Sequence, residues 1–283
     1  MSDLRPRLRP SRRVRRRRTI LIASVAAAAL VIATGIGVAF ALAGQGKGAP
    51  MPVPSTSRTA SATPAPSASS TPTPSPTPTF NKTAQSIDDP NSYWVVVNKL
   101  RPLNPADFAA GDLVAVPVPY INEPYLRQAA SDAVVAMFAA FTAETGLQMQ
   151  AQSAYRSYST QVSVYQGWVD SLGQAAADLT SARPGYSEHQ TGLAIDINAL
   201  PDQGCALAPC WGDTPHAQWL LANSWRFGFI VRYQADKTAI TGYESEPYHM
   251  RYVGVDLATE MHKTGVRTLE EFFGLPAAPD YAR

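Results

Sequence analysis

Between Thr19 and Ala43 the chain carries no charged residue, and no other feature of its 283 residues limits its architecture as tightly. As a helix the run TILIASVAAAALVIATGIGVAFALA would rise about 37 Å, enough to cross a hydrocarbon core of about 30 Å. Nine arginines lie between Arg5 and Arg18 on its N-terminal side, and none flanks its C-terminal side. That asymmetry puts the N-terminus in the cytoplasm and everything after Ala43 outside. Ala41-Leu42-Ala43 has the small-x-small form of a cleavage site, so a removed signal peptide is the alternative. The length of the apolar run favours a retained anchor, and both readings export the remainder of the chain. Read alone, the arginine run would imply nucleic-acid binding. Beside an apolar span it reads as a topology signal, and no nucleic-acid partner is expected.

Residues 44–79 then form a tether. The stretch PAPSASSTPTPSPTPT has almost no apolar bulk and cannot build a core. Alternating proline favours polyproline II, and at about 3.1 Å per residue the tether could reach roughly 110 Å. The expected organisation is a basic cytoplasmic tail over residues 1–18, a transmembrane anchor over 19–43, a disordered linker over 44–79, one folded domain over 80–275 and a short tail over 276–283. The formal net charge of +2 hides that everything after the arginine run is net acidic.

Within the domain, Pro124 to Glu144 reads as a helix stopped by Gly146, with apolar positions at Val134, Val135, Met137, Phe138 and Phe141. Leu147 to Ser153 alternates like a strand, and Ser159 starts a second helix. Ala194 to Ile197 is a short strand, and Pro215 to Arg226 a third helix closed by Gly228. Phe229 to Tyr233 and His249 to Val253 read as strands, and Val255 to Lys263 as a last helix. Such segregated runs predict an α+β fold with a small antiparallel sheet flanked by helices. In an oxidising compartment the pair Cys205 and Cys210, in CALAPC, is expected as a disulfide. Zinc binding by the pair is disfavoured, because such sites come with a second cysteine pair and the chain has only these two cysteines.

Three segments carry chemistry: SEHQTGLAID from Ser187 to Asp196, EPYH from Glu246 to His249, and Tyr155-Arg156-Ser157. Gly192 and the β-branched Ile195 and Ile197 oppose a helix, so a turn leading into a strand is expected. Period two then puts Ala194 and Asp196 on one face. A mid-strand aspartate is costly unless it is paired or metal-bound. Pairing with a core arginine, with His189 an ordinary loop residue, explains this segment alone equally well. Glu246 and His249 shift the balance. Pro247 disfavours helical geometry at Glu246, so this is not a helical His-Glu-x-x-His site. His189, Asp196 and His249 together make a tripod with an open fourth position, the pattern of catalytic zinc. Glu246 beside the third ligand can take a proton from metal-bound water.

These residues resemble the VanY-type D-alanyl-D-alanine carboxypeptidases of the LAS group of zinc peptidases. SEHQTGLAID fits SxHxxGxAxD, and EPYH followed by RYVG fits the ExWH element, with Tyr248 where tryptophan is usual. AYRSYSTQ and GFIVRY match as well, and the resemblance runs from about Asn98 to Gly254. It implies a LAS/hedgehog-like fold with zinc at the sheet, held by His189, Asp196 and His249. It also implies Glu246 as general base and then acid, and Arg156 as oxyanion stabiliser. Ser187 and Gln161 are expected as substrate-side hydrogen-bonders, with a capping Ser187 and a solvent-facing Gln161 as alternatives. His216 and His262 match nothing. The implied partner is a peptidoglycan stem peptide. The implied activity is removal of the terminal D-Ala from pentapeptides. The alternatives are L,D-carboxypeptidase action on tetrapeptides and a non-catalytic zinc-containing wall-binding module.

Overall fold

The computed structural model describes residues 79–282. The basic run, the apolar span and all but the end of the tether lie outside the described residues. Among the described residues no helix is long and apolar enough to cross a membrane.

An irregular N-terminal segment leads to a two-stranded antiparallel pair, β1 (Leu113–Ala115) and β2 (Tyr125–Arg127), followed directly by helix α1 (Gln128–Thr145). The helix expected from Pro124 therefore starts later. Tyr125, Leu126 and Arg127 pair with β1, and Arg127 is extended at φ −63° and ψ 146°. The stop is as read: Gly146 takes the left-handed conformation and its N–H meets the Thr142 carbonyl at 2.9 Å. Strand β3 (Gln148–Ser153) comes next, then α2 (Tyr158–Leu172) and α3 (Gln174–Thr180). Helix α2 begins one residue before the expected Ser159, because the Ser157 hydroxyl accepts the Thr160 N–H at 3.2 Å and caps it.

The other elements are β4 (Ala194–Leu200), α4 (Pro215–Asn223), β5 (Phe229–Tyr233), α5 (Thr238–Thr241), β6 (Glu246–Tyr252), α6 (Val255–Thr264) and α7 (Leu269–Phe273). Strands β3, β4, β6 and β5, in that order, make one antiparallel sheet, which with the helices gives the expected α+β class. Strand β6 starts at Glu246 and not at His249. Pro247, which has no N–H to donate, falls where the β5–β6 register shifts, a position that tolerates proline.

Helix α1 buries Val134, Met137 and Phe141 in one core with Met149, Ile195, Ile197 and Met250 of the sheet. A second core joins Trp94 and Val96 to Ile230, Leu257, Met261, Leu269 and Phe272. The last residues, expected as a tail, pack on the domain. Ala278 is buried and donates its N–H to the Ile240 carbonyl at 2.7 Å. The Tyr281 hydroxyl accepts the Arg183 N–H at 2.8 Å. Cys205 and Cys210 are joined in a loop, with Cα atoms 5.6 Å apart.

Gly192 joins the turn to β4 at φ 68°. A Cβ there would lie 2.6 Å from Leu113 Cδ2 and 3.0 Å from Arg127 Cγ. Gly192→Ala should therefore cost about 1–2 kcal/mol from the left-handed backbone alone, plus the crowding. Urea unfolding of the purified domain measures this, and an unchanged midpoint would contradict it.

Candidate active site

Strand register brings the site together. Asp196 on β4 lies opposite His249 on β6 and opposite Ser153 on β3. His189 arrives from the single turn Glu188–Thr191 that precedes β4. Thr191 braces this turn, its hydroxyl donating to the Glu188 carbonyl at 2.6 Å and accepting the Leu193 N–H at 3.1 Å. His189, Asp196 and His249 are all buried and offer ligand atoms within 4.8 Å of one another.

The hydrogen bonds around the two imidazoles decide what these atoms can do. His189 Nδ1 lies 2.7 Å from the Ala154 carbonyl, which only accepts, so Nδ1 carries the proton. The bare Nε2 of the neutral ring then faces Asp196 Oδ2 at 3.3 Å. His249 Nε2 lies 3.2 Å from Glu188 Oε2, an acceptor for a proton on that nitrogen. Its Nδ1 faces Asp196 Oδ1 at 3.1 Å and Glu246 Oε2 at 3.5 Å. With its proton on Nε2 alone, His249 would turn a second lone pair on the same carboxylate. Burial lowers the pKa of His249, but hydrogen bonds with Asp196 and Glu188 outweigh it and raise it to about 10, so a proton there removes one clash. His189 keeps the other, because burial pushes its pKa down against the pull of Asp196. A divalent cation removes both. Ligands held tetrahedrally at about 2.0–2.1 Å lie about 3.3 Å apart, close to the spacings seen. The residues present therefore fit zinc.

A cavity of about 400 Å³ opens on this cluster, lined among others by Arg156, Trp168, Ser187, Tyr233, Glu246 and Tyr248. The Glu246 side chain remains 15% exposed there, and burial raises its pKa to about 8 against the pull of His249. Arg156 stands on the loop after β3, where its N–H donates to the His189 carbonyl at 3.2 Å. Its guanidinium donates to Gln161 Oε1 at 2.8 Å and to Ser153 Oγ at 3.4 Å. Ser153 in turn donates to Asp196 Oδ2 at 2.9 Å.

Gln161 differs from both expectations. It is fully buried, so it does not face solvent, and its amide is fully engaged. Oε1 accepts from Arg156, while Nε2 donates to Ser181 Oγ at 3.2 Å and to the Ala182 carbonyl at 2.6 Å. It holds Arg156 and has no donor left for a substrate. Ser187 precedes the turn but makes no capping hydrogen bond, and its side chain is left to the cavity. Neither His216 nor His262 joins the site: His216 is buried beside Phe141 and Trp211, and His262 stacks on Trp225.

Sequence reasoning missed Glu188, Arg232 and Arg251, all with side chains at 0% exposure. The available signal was two arginines inside buried strands, FIVRY and HMRYV, which require anionic partners.

The family model for VanY, D-alanyl-D-alanine carboxypeptidase, matches residues 123–255. The YodJ protein of Bacillus subtilis (strain 168) is 38% identical over 194 residues, 67% of this chain and 70% of that one. The chain belongs to the VanY family. Among solved structures, this VanY-family chain is similar to the LdcB LD-carboxypeptidase at 38% identity and TM-score 0.60, covering 65% of this chain and 87% of that one. It is also similar to the vancomycin-resistance D,D-pentapeptidase VanY from a VanB-type cassette, solved in complex with Zn(II). There the identity is 34% and the TM-score 0.53, covering 64% of this chain and 98% of that one.

Because Gln161 reaches the cavity only through Arg156, Gln161→Leu should act on the rate and not on ground-state binding. Steady-state kinetics should show kcat lowered about tenfold or more with KM little changed. A rise in KM alone would restore Gln161 to the substrate side.

Proposed function

We propose that this chain is a zinc-dependent D,D-carboxypeptidase that removes the terminal D-Ala from peptidoglycan stem pentapeptides. The observation that carries the reading is the convergence of His189 Nε2 and His249 Nδ1 on the Asp196 carboxylate, with Glu246 and Arg156 facing the same cavity. His189, Asp196 and His249 would hold the metal. Zinc, when bound, polarises the scissile carbonyl and makes water nucleophilic near neutral pH. Glu246 takes the proton of the attacking water and returns it to the leaving amine of D-Ala, a role suited to a carboxyl whose pKa lies near neutrality. Arg156, steadied by Gln161 and Ser153, stabilises the oxyanion that forms on the scissile carbonyl. Ser187, with its hydroxyl free of any cap, hydrogen-bonds the substrate.

A second reading, L,D-carboxypeptidase action on tetrapeptide stems, is favoured by the greater likeness to LdcB. A non-catalytic wall-binding module accounts for neither Glu246 nor Arg156, since a purely structural metal site needs neither. We place the domain outside the membrane, on the basic run, the apolar span and the proline-rich tether that precede it.

Incubation with muropeptides of defined stem length, followed by mass spectrometry, tests the reading. Pentapeptides should lose one D-Ala. Glu246→Ala should keep its zinc and lose at least about 10²-fold in turnover. Release from tetrapeptides alone would reassign the enzyme as an L,D-carboxypeptidase. Cleavage inside the stem would overturn the carboxypeptidase reading.

A further inference from the structure

Glu188 sits between the cavity serine and the first histidine, and the proposed catalytic scheme does not use it. Its surroundings are nevertheless among the most restrictive in the molecule. Oε1 accepts from Arg232 Nε at 2.8 Å and from Arg251 Nη1 at 3.0 Å, which leaves Oε2 for His249 Nε2 at 3.2 Å. All three charged side chains are at 0% exposure. The arginines are themselves held elsewhere. Arg232 makes a bidentate pair with Glu270 at 2.9 and 2.7 Å, and Glu270 also accepts from Asn98 at 2.9 Å. Arg251 donates to the carbonyls of Val95 at 2.7 Å, Tyr93 at 3.1 Å and Tyr252 at 3.0 Å. Asn98, Glu270, Tyr93 and Val95 all lie outside the span that matches the family model.

We propose that Glu188 is the positioning residue for His249, fixing its tautomer and ring orientation so that Nδ1, and not Nε2, is presented to the metal, and that the segments flanking the family span anchor it. The inference rests on the zinc reading given under the proposed function. An ionised carboxylate only accepts, and a guanidinium does not deprotonate in a protein, so with Arg232 and Arg251 on Oε1 the carboxylate has one role left, to take the Nε2 proton. A carboxylate on the remote nitrogen of a ligating histidine also makes the ligating nitrogen more basic.

Two measurements on the full domain test this. In Glu188→Gln the buried arginines lose a counter-charge and His249 loses its anionic acceptor, so zinc affinity, read by chelator competition, should fall about 10–100-fold with far-UV circular dichroism unchanged. The second needs no variant: long-range nitrogen–proton NMR of the zinc-loaded wild type should show the His249 proton on Nε2. Its presence on Nδ1 would overturn the proposal even if Glu188→Gln fails to fold. So would a folded Glu188→Gln that binds zinc as tightly as wild type, with the zinc reading left standing. Wild type that takes up no zinc would overturn both readings.

Discussion

The geometry of the site turns on an electrostatic conflict. Two imidazoles, each with its outer nitrogen against an acceptor, turn the other nitrogen on a single buried carboxylate, and neutral His189 meets it with a lone pair. In water such an arrangement would be harmless. In a buried site, where effective dielectric constants are low, it is costly unless a positive charge sits between the groups. The strand register is what enforces it. Asp196 is paired across both of its neighbours, so it cannot swing away without breaking the centre of the sheet. The reacting groups then come from the same backbone. Glu246 opens the strand that carries His249, and Arg156 lies just beyond the strand that carries Ser153.

Behind this centre lies a second layer of buried charge, built from Glu188, Arg232, Arg251 and Glu270. Two carboxylates and two guanidiniums balance in number, which is the condition for keeping such groups in a core. A buried pair of this kind is weak evidence for stability, since an apolar replacement often serves as well. Its value here is directional. Guanidinium forks fix a carboxylate in both position and rotation, and that carboxylate faces a histidine of the centre. The layer ties residues far apart in the chain, from Asn98 to Glu270, to one imidazole ring.

The sequence was legible where chemistry is local. Gly192, between His189 and the strand AIDI, signalled a turn feeding a strand, and that is how the chain folds. Gly146 ended its helix as read, whereas the helix expected to run to Gly228 stops at Asn223 and a separate 3-10 turn, Ser224–Phe227, ends at that glycine. The chain was less legible where partners are distant. Tyr125 to Arg127 looked helical until β1 claimed its backbone, and three-residue strands leave no periodicity to find. Residues 276–282 looked like a tail because their contacts, with Ile240 and Arg183, lie far back in the chain. The resemblance implies a substrate-side Gln161, but its role is set by Arg156, Ser181 and Ala182. Glu188 carries no local signal, because its arginines come 44 and 63 residues later.

X-ray absorption at the zinc edge of the purified domain reads the ligand set itself. One bound zinc is expected, with an inner shell that contains two imidazole nitrogens at about 2.0–2.1 Å and carboxylate oxygen at about 2.0–2.2 Å. A shell without imidazole, a sulfur ligand at about 2.3 Å, or no bound zinc at all would contradict the tripod of His189, Asp196 and His249.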